Sequence, residues 1–243
     1  LCHAIYGTYL RRGNGMYQRT NTRHTATAGI CERIWLSIAE KKLRPGTRLK
    51  EEELSEVFQV SRARVRQVLS ALESDGLITI LPNRGAFVAE PDVNEARDVF
   101  HVRKQIEERI IGHVIARITD EEIAQLEQHT AREREAAAIK DRSATIKLSG
   151  SFHLLLAELS GSSFLHGILR DLISRSSLIT VIYRRTELHD CGPDEHMALI
   201  ARIKARDHEG ASAIMHDHLQ HIEDDLDLET EDIPVRDLRQ VFG

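Results

Sequence analysis

The sequence predicts a mostly α protein: an N-terminal winged helix-turn-helix of three helices and a β-hairpin, then an all-α helical bundle. Three observations carry this. Apolar residues recur at helical spacing from Ile30 onward. Residues 77–89 interrupt that period with two short apolar runs around Pro82-Asn83-Arg84-Gly85, a hairpin signature. Beyond Pro91 the helical period returns, and each break carries capping or turn residues.

The first helix is predicted from Ile30, Ile34 and Ile38 on one face, with Trp35 beside them, and Pro45-Gly46 ends it. A short helix over 51–58 follows, with Leu54, Val57 and Phe58 apolar. Ser61 is a good N-cap for a third helix, and Val60 and Val65 fit a hydrophobic staple. That helix turns Val65, Val68, Leu69 and Leu72 inward and closes near Ser74-Asp75-Gly76. In the second part, Asp92 with Glu95 reads as a capping box, Val99, Ile106, Ile110 and Val114 continue an apolar stripe, and Thr119 with Glu122 starts another helix. Further helices are predicted over 143–160, 163–187, 194–206 and 207–228. Residues 1–28 show no apolar period and read as a mobile basic arm, and residues 229–243 as a frayed acidic tail.

Composition narrows the function classes. No apolar run approaches the ~20 residues that span a bilayer, which excludes a membrane helix. Cys2, Cys31 and Cys191 are odd in number and scattered, which predicts no disulfide framework and a cytoplasmic setting. The net charge of −5 conceals an asymmetry: residues 1–90 carry 14 Lys/Arg against 9 Asp/Glu. A basic front on an acidic protein points to a polyanion partner for that part alone.

The third helix shows what that partner is. It opens Ser61-Arg62-Ala63-Arg64-Val65-Arg66-Gln67, so Arg62 and Arg66 share one face while the valines turn inward. Arginine matches guanine edges and phosphate forks, and a helix N-terminus itself attracts phosphate. Arg84 at the hairpin tip can reach an adjacent groove of duplex DNA. Three arginines alone would equally be a solvated face; the three-helix and hairpin frame favours a DNA-binding domain over 29–90. Dimers would then recognise an inverted-repeat operator.

In the helical domain over 91–228, His196 and His218 lie about eleven residues either side of Asp207. If Asp207 is the corner of an antiparallel helix pair, both imidazoles sit at one level, about 16 Å from the turn. His153 lies within the apolar run 152–156. Each alone reads as a hydrogen-bonded core histidine; three converging on one point would suit Zn²⁺ or Ni²⁺. Those histidines could also serve a metal-dependent hydrolase, but no HExxH helix or other catalytic spacing appears, and a general base is required. A non-enzymatic regulator is the better reading.

The run 43–51, then Glu53-Leu54-Ser55, Val60-Ser61-Arg62, Val65-Arg66, Leu69, Leu72-Glu73, Gly76-Leu77 and the wing 82–88 resemble the GntR family. Arg103 with Glu107, Phe152-His153, Glu195-His196 and His218-Leu219 extend the likeness to its FadR subfamily, whose helical effector domain is called FCD. The resemblance implies Ser61, Arg62, Arg64, Arg66, Arg84 and Gly85 as DNA contacts. It implies Arg103 as a cavity-facing clamp for a small carboxylate effector, although Arg103 could instead simply pair with Glu107. It implies His153, His196 and His218 as metal ligands, and repression as the commoner mode of action. The chain departs from the family at Ala63-Arg64 (usually Thr-Pro), at Lys41 or Lys42 (a glycine), and at Ser162 (commonly asparagine). Glu52 stands for a DNA-contacting arginine, and Ser149 for an aspartate ligand. His221 is a fallback ligand.

Overall fold

The computed structural model describes residues 22–184 and 192–228. These form nine helices and one three-stranded sheet, in two compact units that divide between Pro91 and Asp92. Residues 1–21 of the expected arm and the expected tail over 229–243 lie outside the described residues. No helix among the described residues is long and apolar enough to cross a membrane.

The first unit runs α1 (Thr22–Ala39), β1 (Arg48–Leu49), α2 (Glu51–Phe58), α3 (Arg62–Ser74), β2 (Ile78–Leu81) and β3 (Gly85–Val88). Helix α1 begins earlier than Ile30, so residues 22–28 of the expected arm belong to it. No Gly or Pro interrupts those positions, and a helix anchored by its packed turns propagates cheaply outward. Ile30, Ile34, Trp35 and Ile38 of α1 are buried with Leu54 of α2 and Val65, Val68, Leu69 and Leu72 of α3. The turn between α2 and α3 is set by Gln59, which adopts a left-handed conformation (φ 51°), and by Ser55 Oγ donating to Val60 O at 2.5 Å.

The wing has one strand more than the hairpin predicted. Its order is β1-β3-β2, all antiparallel, with Leu49 opposite Ala86 and Ile80 opposite Ala86 on the other side. Two residues are too few for strand alternation to be read, so β1 escaped prediction; buried Leu49 pins it to the core.

The second unit is a bundle of α4 (Val93–Arg117), α5 (Asp120–Ala138), α6 (Arg142–Leu159), α7 (Ser163–Tyr183), α8 (Gly192–Lys204) and α9 (His208–Asp224). Helix α6 packs against α4, α5 and α7, and is buried on nearly every side along its second half. Thr119 and Glu122 form a reciprocal capping box. Asp92 caps α4 through Glu95 N, but the Glu95 carboxylate goes to Arg175 on α7 at 2.6 Å. The predicted helices 163–187 and 207–228 both stop short, at Tyr183 and Asp224. Arg184 and Leu226 form an antiparallel bridge, and Asp227 N donates to Tyr183 O at 2.7 Å, so inter-segment pairing replaces the helical ladder at both ends.

Candidate functional site

The outer face of α3 is assembled from its cap upward. Ser61 is extended and its side chain accepts from Arg64 N at 3.3 Å, satisfying one of the free amides of the first turn. With Val65, Val68, Leu69 and Leu72 turned into the core, Arg62, Arg66 and Gln67 face solvent. The Arg62 and Arg66 side chains are 59% and 65% exposed. Arg62 Nη2 donates to Glu52 Oε1 at 2.5 Å, and Arg66 Nε lies 4.0 Å from Glu51 Oε2. Both guanidinium groups are therefore held by exposed carboxylates of α2, not by the body of the fold. Exposed pairs of this kind contribute on the order of 0–1 kcal/mol, so a competing anion displaces them easily.

Arg64 is placed differently. Its Nη1 donates to Thr27 Oγ1 of α1 at 2.9 Å and to Gln67 Oε1 at 3.2 Å, so it is half-buried and apart from the Arg62–Arg66 face. Arg84 is exposed at the hairpin tip, its guanidinium 5.9 Å from the Phe87 ring centroid. Gly85 has φ +99°, a conformation that L side chains rarely adopt. A groove of about 740 Å³ runs between α2, α3 and the wing; Arg62, Arg66 and Gly85 line it, and so do Arg48 and Lys50. Those last two were missed from sequence. The signal available for them was positive charge on either side of apolar Leu49, too short a run to be read as a strand.

In the helical unit the structure brings His153 of α6, His196 of α8 and His218 of α9 together. Asp207 caps α9 by accepting from Gly210 N at 2.9 Å, which makes it the corner between α8 and α9. His196 Nε2 and His218 Nε2 lie 3.2 Å apart, His218 Nε2 and His153 Nε2 3.3 Å, and one ring nitrogen from each fits within 4.8 Å of the others. All three rings are buried. Phe152 stacks on His196 with centroids 3.9 Å apart and fixes that ring's plane.

Each far-side nitrogen meets a carboxylate. His153 Nδ1 donates to Glu107 Oε2, His196 Nδ1 to Glu133 Oε2 at 2.8 Å, and His218 Nδ1 to Glu195 Oε2 at 2.6 Å. Hydrogen-bond partners assign the tautomers: with the proton on Nδ1, each neutral ring presents its Nε2 lone pair to the centre. Burial pushes the His153 pKa down to about 3 against the opposing pull of Glu107, and burial then His218 push His196 well below its usual value. Burial of Glu107 would raise its pKa, but His153 and Arg103 outweigh it and hold the carboxyl at about 2. Three lone pairs converging at 3.2–3.3 Å repel one another unless a cation sits among them. The donor set and its carboxylate supports fit a divalent transition metal such as Zn²⁺ or Ni²⁺. His221 is exposed, and its Nδ1 donates to Glu195 Oε1 at 2.7 Å, so it stands outside the triad.

The supporting carboxylates were not foreseen as histidine partners. Glu195 precedes His196 in sequence, but Glu107 and Glu133 reach the site only because α4 and α5 pack where they do. Next to the triad a cavity of about 50 Å³ is lined by His153, Arg103, Ser149, Ser176 and Arg184, among others. Arg103 is buried, donates from Nε to Glu107 Oε1 at 2.9 Å and from Nη1 to Ser176 Oγ at 3.0 Å, and still lines the cavity. Its pairing with Glu107 and its place at the cavity are thus compatible. Ser149, at the expected aspartate position, brings a hydroxyl to that lining.

A winged helix-turn-helix followed by a separate helical bundle defines the class of helix-turn-helix transcription regulators. Residues 26–88 match the bacterial regulatory proteins of the gntR family, and residues 98–221 match the FCD domain. The chain belongs to the GntR family, in the branch that carries an FCD domain. It is 28% identical over 186 residues to the HTH-type transcriptional repressor RspR of Escherichia coli, covering 75% of this chain and 80% of that protein. It is 27% identical over 177 residues to the Nta operon transcriptional regulator of Aminobacter aminovorans, covering 73% and 83%. A GntR regulator from Rhodococcus sp. RHA1 shares the fold with a TM-score of 0.69 at 22% identity, covering 82% of this chain and 96% of the other. The family and these relatives are transcription regulators, and the gntR helix-turn-helix is a DNA-binding unit.

Proposed function

We propose that the protein is a homodimeric, sequence-specific repressor whose affinity for an inverted-repeat operator is controlled by a small carboxylate effector in the helical unit. The single observation that supports this most is the exposed Arg62–Arg66 face, capped by Ser61 and tethered only by surface carboxylates. In this reading α3 enters the major groove, with Ser61 on phosphate and Arg62 and Arg66 on base edges or phosphates. Arg84 and the backbone at Gly85 contact the neighbouring stretch of duplex. Arg64 joins them only by exchanging its Thr27 bond for phosphate. Repression is supported by the name of RspR.

In the helical unit, His153, His196 and His218 would hold Zn²⁺ or Ni²⁺. The bound ion supplies a positive charge and an open position for a ligand oxygen. The chain's own residues do the rest. Glu107, Glu133 and Glu195 keep each imidazole in the metal-binding tautomer. Arg103 offers its guanidinium to the effector carboxylate at the cavity wall. The effector changes DNA affinity by binding operator-competent and incompetent states unequally. A hydrolase finds no support: among the described residues, the three carboxylates that meet the triad, Glu107, Glu133 and Glu195, are each engaged by an imidazole N–H.

Selection from a random duplex library tests the proposal. Enrichment of a short inverted repeat that small organic acids weaken, in the metal-loaded protein, is the expected result. Failure to enrich any sequence overturns it.

A further inference from the structure

We infer that the effector is a short organic acid with two anionic groups, the first held at Arg103 beside the histidines and the second between Arg142 and Arg184. This rests on the effector reading above and adds a second anion subsite to it. On α6, Arg142, Thr145, Ile146, Ser149 and His153 fall on one stripe, spaced three, four, seven and eleven residues from the first. On α7, Ile173, Ser176, Ser177 and Thr180 make the matching stripe, and Arg184 follows just past the end of the helix, in extended conformation. The two helices pack together, and the cavity between them is walled by these residues other than Arg142, which stands just beyond it, with Arg103 and Arg184 both in its lining.

Arg142 lies one turn beyond Thr145, at the same end of the stripe pair as Arg184. One of its terminal nitrogens, Nη2, is fully buried and has no hydrogen-bond partner. Burial, and after it the positive charge of Arg184, pushes its pKa down. An unpaired buried guanidinium N–H beside a like charge is costly and calls for an anion. Arg103 is matched by Glu107 at 2.8 Å, whereas the buried Nη2 of Arg142 has no hydrogen-bond partner and feels the positive charge of Arg184. Thr145, Ser149 and Thr180 line the path between. Thr145 and Thr180 donate their hydroxyl protons to Asp141 O and Ser176 O and so can accept from a ligand hydroxyl, while Ser149 can donate to a ligand oxygen. A cavity of about 50 Å³ admits only a small molecule.

Calorimetry on the full-length metal-loaded protein tests this with three acid pairs of equal chain length: propionate and malonate, butyrate and succinate, valerate and glutarate. At least one dicarboxylate is expected to bind tenfold or more tightly than its partner. Arg142→Gln or Arg184→Gln should bring that ratio close to one while leaving the monocarboxylate affinity in place. Arg142→Lys, which keeps the charge, should preserve the preference, and unchanged operator affinity in each variant establishes that it is folded. Equal binding of both members of every pair, or a ratio that survives both glutamine variants, overturns the second subsite alone. Binding of none of the six acids overturns the effector reading and this inference with it.

Discussion

Glu52 Oε1 accepts from Arg62 Nη2 at 2.5 Å, so the foremost arginine of α3 is held by a carboxylate from the helix before it. The pair is exposed on both sides. In the proposed DNA-bound state, phosphate in this groove would meet Arg48, Lys50, Arg62 and Arg66, but also Glu51, Glu52, Glu53 and Glu56. Glu52 therefore orients Arg62 while opposing the approach of the duplex. Glu52→Gln should raise affinity for non-specific duplex by roughly two- to tenfold at low salt, with the gain shrinking as salt screens it. Fluorescence anisotropy at several ionic strengths checks this; weaker binding in the variant would show Glu52 acting as a DNA contact itself.

Arg62→Ala should cost about 1–3 kcal/mol of operator affinity and relax specificity at one position, if its guanidinium reads a base. Competition with single-substitution operators measures it. Uniform loss across all sequences would assign Arg62 to phosphate.

Glu133→Gln keeps the size of the side chain but removes the charge that orients His196. Metal affinity should fall by about 10–100-fold. A chelator competition titration reads the change. An unaltered affinity would make Glu133 a bystander.

Phe152 is fully buried and stacked on His196, so its loss leaves a cavity beside the triad. Phe152→Ala should destabilise the helical unit by about 3–5 kcal/mol. Denaturant unfolding followed by circular dichroism measures this. A loss below about 1 kcal/mol would mean that neighbouring side chains close the gap.

Acid should unfold the metal-free helical unit. His153 is depressed to about 3 in the fold, against 6.5 for the free side chain, so the unfolded chain binds the extra proton between those values. Its contribution is complete above pH 6.5 and is lost as pH falls toward 3. Glu107, lowered from 4.5 to about 2, adds a further loss over that lower window. Thermal melts of the chelator-treated protein should show Tm falling steadily below pH 6.5. A Tm flat from pH 7 to 4 would contradict the neutral, buried state of these rings.

What could be read in advance divides by range. The helix-turn-helix was legible because its determinants are local: the Ser61 cap, the Val65–Leu72 stripe and the turn residues 82–85 act on their own neighbours. His196 and His218 were legible because a capped corner at Asp207 makes sequence symmetry into spatial proximity. Strand β1 was not, since two residues carry no period. Neither were Glu107 and Glu133 as imidazole partners, since they are joined to the histidines only by inter-helix packing. The ends of α7 and α9 escaped for the same reason: the Arg184–Leu226 bridge links segments far apart in the chain.

The face of α3 is tested most directly by titrating salt against operator binding for the wild type and for Arg62→Ala/Arg66→Ala. Steep salt dependence is expected in the wild type; in the double variant the slope should be shallower by about one for each arginine that meets phosphate, with loss of preference for the selected operator over scrambled duplex. A double variant that keeps both the wild-type slope and the wild-type preference would contradict it.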